Sequence, residues 1–504
     1  MDPHAPLDPF GAPGEAKAIR AGVTRNVLAA GSSGLLIQAL QIVTFLILVR
    51  LLAPEDYGVL AMVTAGIGLA ELFRDMGLSA ATVRLPSITR AQVNALFWIN
   101  AALGALMAGA VIAVAPWLAA LMREPRVEDV AGVMAVNFLI GGVSAQYLAL
   151  MRRSLRFVEL STMRVWASGL GSLLALAMAW AGAGYWALVA AAVLNKLLMM
   201  LLAMARSGWH PQRPRYEPSV APMLTFGGHL IGFGLLSYCA TNLQTILLAR
   251  YWGGAEVGYF NRANSLIGIS VGQLMRPVRR VAPPTMARLH VEPESMADFY
   301  RSIVALLMLA LVPAALWMAY LAEDIVRVVL GGQWDAAVPV LQALALGLPA
   351  SSLAASSGWL FLARGDSRAM LRWGLVGWPV VIVFKVAGLG WGAAGVALMG
   401  SLASYVILWP CMRRAMAGTP LRPVELLVAM RKPLLGGVCA LLLMVLLDRA
   451  YIDPWPPLPR VALLSLVFAA VYAGLLLTVL GERQRLLGLL RRFRRAAART
   501  PRQT

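Results

Sequence analysis

Charged side chains at a few positions inside long apolar runs are the residues of this sequence that could do chemistry. Lys196, beside Asn195, lies about eleven residues from one end of such a run, close to its middle. Arg262 lies about five residues, or roughly 8 Å, inside another run. A cation at such depth is costly unless it is paired or faces water. Both are candidate anion-binding residues, although Lys196 could instead form an internal salt bridge and both Arg262 and the shallower Lys385 could extend to water.

Three further charges, Glu71, Arg74 and Asp75, lie at the end of the second apolar run. On a helix Glu71 reaches Arg74 at i+3 and Asp75 at i+4, so one face carries two acids and one base. One interpretation is a self-neutralising ion cluster at a helix end. The other is that Glu71 and Asp75 couple transport to a proton or sodium gradient, beside an anion-binding Arg74.

The first apolar run has a stripe of small and polar residues spaced by 3, 4 and 3, which places them on one helix face. They are Gly31, Gly34, Gln38 and Gln41. Glycines favour close packing of helices, whereas the two glutamines favour the polar wall of a lumen. Gln38 and Gln41 are therefore also candidates for ligand binding.

The composition indicates that these elements lie in a membrane. The chain has 504 residues, of which 60% are hydrophobic and 13% charged, with a mean hydropathy of +0.72. Soluble domains carry roughly 25% charged residues. The net charge of +20 does not indicate nucleic-acid binding, because the basic residues lie between apolar runs and not on one face of a soluble fold.

Fourteen apolar segments are long enough to cross a membrane, which takes about 20 helical residues. They lie near 27–50, 57–78, 93–117, 130–150, 162–181, 185–205, 222–249, 257–276, 301–322, 337–362, 369–387, 393–412, 433–450 and 460–480. This alternation places 33 Lys and Arg residues on the side of both termini and seven on the opposite side. Because basic residues favour the cytoplasmic side, we expect both termini to be cytoplasmic.

Two stretches indicate a duplication, LILVRLLAPEDYG at 46–58 and ILLARYWGGAEVG at 246–258. Leu48, Arg50 and Gly58 recur as Leu248, Arg250 and Gly258, and Asp56 is matched by Glu256. GAGYWAL at 182–188 and WGAAGVAL at 391–398 form a second similar pair. The pattern indicates two related halves, or independent hairpins with similar turns. Because repeat transporters bind their ligands between repeats, Lys196 and Arg262 could converge on one cavity.

The sequence therefore predicts an all-α polytopic membrane protein with two pseudo-symmetric six-helix bundles plus two C-terminal helices. The expected segments are a cytoplasmic tail (1–26), a first bundle (27–206), a cytoplasmic linker (207–221), a second bundle (222–412), two additional helices (433–480) and a basic cytoplasmic tail (481–504).

Motifs for enzymatic chemistry are not found. The three cysteines and four histidines form no metal-ligand pattern, and GWGAAG at 390–395 lacks the Lys-Ser/Thr ending of a nucleotide-binding loop. The loops between apolar segments are too short to hold a catalytic domain. We therefore expect no enzyme activity, no metal and no cofactor, apart from a proton or sodium gradient that could drive transport.

Several motifs carry a family resemblance. RLLAPEDYGVLAMV (50–63), RDMGLSAATVR (74–84), GYFNRANSL (258–266) and the turn at 182–188 resemble the polysaccharide transporter, or Wzx-type flippase, family. That family, which includes the colanic acid exporter type, belongs to the multidrug/oligosaccharidyl-lipid/polysaccharide exporter superfamily. The resemblance covers roughly residues 25–480.

The resemblance implies a flippase of the bacterial inner membrane that works by alternating access. Its expected substrate is an undecaprenyl-pyrophosphate-linked oligosaccharide used for exopolysaccharide, capsule or lipopolysaccharide. Membrane lipid is an expected partner, and a polysaccharide polymerase and export machinery could be others. The alternatives are an ion-coupled multidrug or organic-cation extruder of the same superfamily and a polytopic glycan polymerase or ligase.

Overall fold

The computed structural model describes residues 16–74, 82–83, 88–213, 238, 241–452 and 455–478, and every regular element in these ranges is helical. The first helices are α1 (Ala16–Leu51), α2 (Pro54–Arg74), α3 (Arg90–Met122), α4 (Arg126–Arg153), α5 (Phe157–Trp180), α6 (Trp186–Ser207) and α7 (241–252). They are followed by α8 (Gly254–Leu289), α9 (Pro293–Tyr320), α10 (Ala322–Val329), α11 (Val338–Ala363), α12 (Ser367–Gly388), α13 (Gly392–Met416), α14 (Val424–Leu447) and α15 (Pro457–Thr478).

The long helices follow the predicted apolar segments. Each of those segments overlaps a described helix, and the predicted segment 222–249 is described only at residue 238 and from residue 241. Within the described ranges, ten stretches are long and apolar enough to cross a membrane, and one of them covers both α12 and α13. In hydrocarbon a helix satisfies its own backbone hydrogen bonds, which explains the all-α architecture. The polytopic all-α fold is confirmed, while the count of fourteen spans stays a prediction.

Helix α1 begins earlier than the sequence analysis indicated. It starts at Ala16, so its first turns occupy residues that were expected to belong to the tail 1–26. The prolines of the N-terminal segment end at Pro13, and the alanines and basic residues that follow favour helix. The predicted basic tail 481–504 lies outside the described residues.

Packing divides the chain into two compact units, Met1–Asn261 and Arg262–Thr504. The division falls inside α8, whereas composition alone placed the boundary at the linker 207–221. The start of that linker packs within the first unit. The Trp209 ring lies 5.7 Å from the Phe97 ring and 5.3 Å from the Tyr147 ring. The Asn94 side chain donates a hydrogen bond to the carbonyl group of Arg213 and accepts one from the backbone amide of Gln212.

In the first unit, the two similar stretches at 46–58 and 246–258 contact each other reciprocally. A Cβ atom added at Gly58 would overlap the carbonyl group of Gly254, and one added at Gly258 would overlap the carbonyl group of Pro54. Adding 200 to residue numbers 58 and 54 gives 258 and 254, so each stretch makes the same contact with the other. Glycine at 58 and 258 is therefore required because the starts of α2 and α8 approach at backbone distance.

The acid of the first copy has a structural role. One Asp56 carboxylate oxygen accepts a hydrogen bond from the Ala53 amide at 3.0 Å, and the other accepts one from the Tyr185 amide at 3.1 Å. Gly184, at φ +55°, lies against the same carboxylate. Asp56 thus joins the α1–α2 turn to the α5–α6 turn, two stretches that the sequence analysis had noted separately.

In the second unit, α9 and α14 run parallel in a fixed register. Arg301 Nε donates to Glu425 at 2.8 Å, and a Cβ atom at Gly437 would lie 3.6 Å from Cα of Pro313. Both pairs are separated by 124 residues, so the two helices keep the same stagger over these turns.

A buried ion cluster holds the opposite end of these helices. Arg460 Nη2 lies 2.8 Å from Asp448, whose side chain is only 1% exposed, and Arg460 Nη1 lies 3.6 Å from Asp324. The Tyr320 hydroxyl donates to Asp448 at 2.7 Å. This cluster connects α9, α10 and α15 to the chain that follows α14.

Candidate functional site

The first unit contains a cavity of about 280 Å³ between α4, α5 and α6. Its lining combines apolar, small polar and basic side chains. The lining residues are Ile140, Gly141, Ser144, Ala145, Leu148, Arg152, Arg164, Asn195, Lys196 and Met199. The α4 residues 141, 144, 145, 148 and 152 follow helical spacing, so one face of α4 forms a wall roughly 17 Å long.

Lys196 lines this cavity from α6, where it is the eleventh residue and lies near the middle of the helix. Its Nζ is 2.9 Å from Oε1 of Glu71 on α2, and the two side chains are 36% and 47% exposed. The sequence analysis had grouped Glu71 with Arg74 and Asp75. Its contact with Lys196, 125 residues away, could not be read from helix spacing.

Asn195 determines how α6 presents its lysine. Its Nδ2 donates to Oγ of Ser168 on α5 at 3.4 Å. Gly171 of α5 permits the close approach, since a Cβ atom there would be 3.3 Å from the carbonyl oxygen of Ala191. These contacts fix the rotation of α6, and the neighbouring Lys196 is thereby directed to the cavity.

Two arginines that the sequence analysis treated only as topology signals also line the cavity. Arg152 lies in the last turn of α4 and Arg164 about two turns into α5, and both are exposed. Arg164 has no ion-pair partner among the described residues. Arg153, next to Arg152, turns away and donates to the Thr82 carbonyl group at 3.1 Å. The missed signal was helical spacing, because Arg152 follows Leu148 at i+4 on the α4 face that also holds Ser144.

The electrostatic balance of the cavity is positive. Among the described residues, Arg152, Arg164 and Lys196 carry three positive charges, and Glu71 supplies one negative charge. A cationic site favours an anion and disfavours an organic cation. Charge-assisted hydrogen bonds from guanidinium and ammonium groups are about twice as strong as neutral ones. The volume, near the lower limit of roughly 300 Å³ for ligand pockets, suits a phosphate-sized group.

The remaining predicted residues lie elsewhere. On α1, Gln38 is half-buried and Gln41 is exposed, and neither lines this cavity. Arg262 is the first residue of the second unit, is not a lining residue of this cavity, and has a buried Nε. The Arg74 side chain and Asp75 lie outside the described residues, so their roles stay predictions, as does the convergence of Arg262 with Lys196.

Solved structures with a similar fold are membrane transporters. The lipid II flippase MurJ in its inward closed conformation matches with a TM-score of 0.73 at 12% identity, covering 91% of this chain and 100% of that one. An inward-facing multidrug resistance MATE family transporter of the MOP superfamily matches with a TM-score of 0.53 at 14% identity, covering 82% and 96%. At these identities the likeness concerns the fold alone, a polytopic all-α membrane fold.

The family is defined by sequence. The family described as "Polysaccharide biosynthesis protein" matches residues 47–339, more than half of the chain. The chain belongs to this family, which confirms the resemblance found in its motifs.

Relatives include the lipopolysaccharide biosynthesis protein WzxC of Escherichia coli (strain K12), 25% identical over 61% of this chain and 63% of that protein. The teichuronic acid biosynthesis protein TuaB of Bacillus subtilis (strain 168) is 24% identical over 73% and 79%. The succinoglycan biosynthesis transport protein ExoT of Rhizobium meliloti (strain 1021) is 28% identical over 78% of each chain.

Proposed function

We propose that the protein is an inner-membrane flippase that moves undecaprenyl-pyrophosphate-linked oligosaccharide units to the outer leaflet for exopolysaccharide, capsule or lipopolysaccharide synthesis. The observation that carries this proposal is the cationic cavity in a polysaccharide biosynthesis family member. It combines mid-helix Lys196 with Arg152 and Arg164. The names of the relatives, one of them a transport protein, support the same class of substrate.

The cavity residues would act on the pyrophosphate. This group must lose water to cross the membrane, and Lys196 and Arg164 would replace part of that hydration with charge-assisted hydrogen bonds. Until the anion arrives, Glu71 compensates Lys196, which would otherwise be an unpaired cation at mid-helix. The oligosaccharide is too large for a cavity of about 280 Å³ and would lie outside it.

The charge of the site separates this proposal from its alternatives. An extruder of organic cations would need acids in excess at mid-membrane, whereas basic groups are in excess among the described residues of this cavity. A glycan polymerase or ligase would need a sizeable loop with catalytic residues, and the loops between the apolar segments of this sequence are too short for a catalytic domain. A polysaccharide polymerase would receive the transported oligosaccharide and would be a partner in this respect only.

A transport assay tests the proposal directly. Purified protein would be reconstituted with a fluorescent lipid-linked oligosaccharide, and the label exposed in the outer leaflet would be bleached with dithionite. We expect bleaching to extend beyond the outer-leaflet half only when the protein is present. Flipping no faster than in protein-free vesicles, together with increased drug sensitivity of a deletion strain, would favour the drug-extruder alternative.

The predicted cytoplasmic location of both termini can be checked with reporter fusions.

A further inference from the structure

Two cations of the cavity in the first unit, Arg164 on α5 and Lys196 on α6, lie at different depths. Helix α5 begins and α6 ends on the same side of this unit, because the short turn at 181–185 joins their other ends. Arg164 follows the start of α5 by seven residues, or roughly 10 Å. Lys196 precedes the end of α6 by eleven residues, or roughly 16 Å. Arg164 is therefore the shallower cation, measured from the side that the basic segments predict to be cytoplasmic.

The register between α5 and α6 gives the same order. Asn195 of α6 donates to Ser168 of α5 at 3.4 Å, so these two residues lie level with each other. Because the helices are antiparallel, four residues back along α5 and four residues on along α6 place Arg164 level with Met199, and both line the cavity. Lys196 lies three residues, or roughly 4.5 Å, deeper than this level.

The two cations also differ in their ion pairs. Arg164 is exposed and has no ion-pair partner among the described residues. Glu159, the nearest acid along α5, is bonded through both carboxylate oxygens to Arg156. Lys196, in contrast, lies 2.9 Å from the Glu71 carboxylate. An anion that enters from the shallow end can thus contact Arg164 without breaking an ion pair, whereas it must displace Glu71 to bind Lys196.

We propose that Arg164 captures the pyrophosphate first, and that Lys196 binds it in a second step by exchanging the Glu71 carboxylate for a phosphate oxygen. This assignment rests on the proposed transport function and gives the order of events at the same cavity. The stagger of three residues allows each cation to hold one of the two phosphate groups after the second step. A charge at the rim of a site mainly affects the association rate and its salt dependence, whereas a paired charge inside mainly affects dissociation. Arg164 therefore determines how fast the anion is captured, and Lys196 how firmly it is held.

The dependence of the flipping rate on substrate concentration tests this order. The assay is the dithionite assay with the fluorescent lipid-linked oligosaccharide in proteoliposomes. Arg164→Gln should lower the rate at limiting substrate about tenfold, as expected for loss of one hydrogen bond to a charged group, while the maximal rate stays within about twofold of wild type. The loss should be larger at about 0.01 M salt than at about 0.15 M, because the screening length falls from about 30 to about 8 Å. Lys196→Gln should instead lower the maximal rate.

Two further variants identify the cause. Arg164→Lys keeps the charge and should restore most of the rate at limiting substrate. Arg206→Gln removes an exposed charge from the last turn of α6, outside the cavity lining, and should behave like the wild type. The proposed order is overturned if Arg164→Gln lowers the maximal rate and leaves the rate at limiting substrate unchanged. It is also overturned if Arg206→Gln reduces capture as much as Arg164→Gln does, because the effect would then come from general surface charge.

Binding of inorganic pyrophosphate to the full-length protein in detergent, measured by isothermal titration calorimetry, separates this inference from the proposed function. Arg164→Gln should weaken the affinity about tenfold, and Arg206→Gln should leave it unchanged. If the wild type binds pyrophosphate in this way but does not flip the lipid, the transport function fails and the capture order fails with it, although the anion site remains. If the wild type flips the lipid but Arg164→Gln binds pyrophosphate as tightly as the wild type does, only the role of Arg164 is overturned.

Discussion

The Lys196–Glu71 pair offers the sharpest test of the cavity, because replacing Lys196 by alanine should separate transport from stability. The ammonium and the carboxylate are 2.9 Å apart, but the side chains are 36% and 47% exposed. An ion pair with this exposure contributes about 0.2–1 kcal/mol. The Lys196→Ala variant should therefore fold and reach the membrane at near-normal levels.

Transport should respond much more strongly than stability. A hydrogen bond to a charged group contributes about 1.5–3 kcal/mol when its partner has lost water. Since about 1.4 kcal/mol corresponds to a factor of ten, losing the Lys196 contact with the pyrophosphate should slow flipping by about 10- to 150-fold. Lys196→Arg keeps the charge and should retain part of the activity, and Lys385→Ala is the matched control outside the cavity.

The assay is the initial rate of dithionite-accessible label in proteoliposomes, normalised to the amount of folded protein. A melting curve in detergent measures stability in parallel. If Lys196→Ala flips the substrate within twofold of the wild-type rate, the ammonium does not bind the pyrophosphate. If the variant instead loses several kcal/mol of stability, the Lys196–Glu71 pair mainly stabilises the fold. A slower transport rate would then reflect loss of folded structure and would not support pyrophosphate binding by Lys196.

Three further outcomes are expected. Glu71→Gln removes the carboxylate that competes for the lysine, so the substrate concentration giving half-maximal flipping should fall about two- to fivefold. Gly58→Ala should destabilise the protein by about 1–3 kcal/mol in thermal unfolding, because the added methyl group overlaps a facing carbonyl group. Arg460→Met should lower the free energy of unfolding by about 3–5 kcal/mol, because it leaves the 1%-exposed Asp448 carboxylate without its guanidinium.

Matched controls make these outcomes specific. Gly132→Ala introduces a methyl group with nothing within 4 Å and should be neutral or slightly stabilising. Arg327→Met breaks pairs whose side chains are about half exposed and should leave the melting temperature nearly unchanged. Equal effects of Gly58→Ala and Gly132→Ala would contradict the glycine contact, and equal effects of the two arginine changes would contradict the buried cluster. A half-maximal concentration that rises in Glu71→Gln would show that the carboxylate helps substrate binding.

Local sequence patterns predicted the positions of the long apolar helices. A helix in a membrane satisfies its own hydrogen bonds, so apolar length and the Gly- and Pro-containing turns determined where helices lie, and the structure agrees at each described segment. The N-terminal start of α1 was missed because a polar helix gives no hydropathy signal. Likewise, the composition of residues 207–221 predicts a linker. Trp209 is nevertheless buried because neighbouring aromatic rings pack against it, and composition does not indicate that packing.

The sequence by itself determined that Lys196 is a costly mid-helix cation, because the depth of a residue in an apolar run follows from counting. It also indicated that the stretches around Gly58 and Gly258 are similar. Only the tertiary structure decided that Glu71 is the partner of Lys196, since an ion pair over 125 residues depends on how α2 packs near α6. It also brought Arg164 to the same cavity. Periodicity fixes the face of each helix, but the choice of facing partners depends on packing between helices.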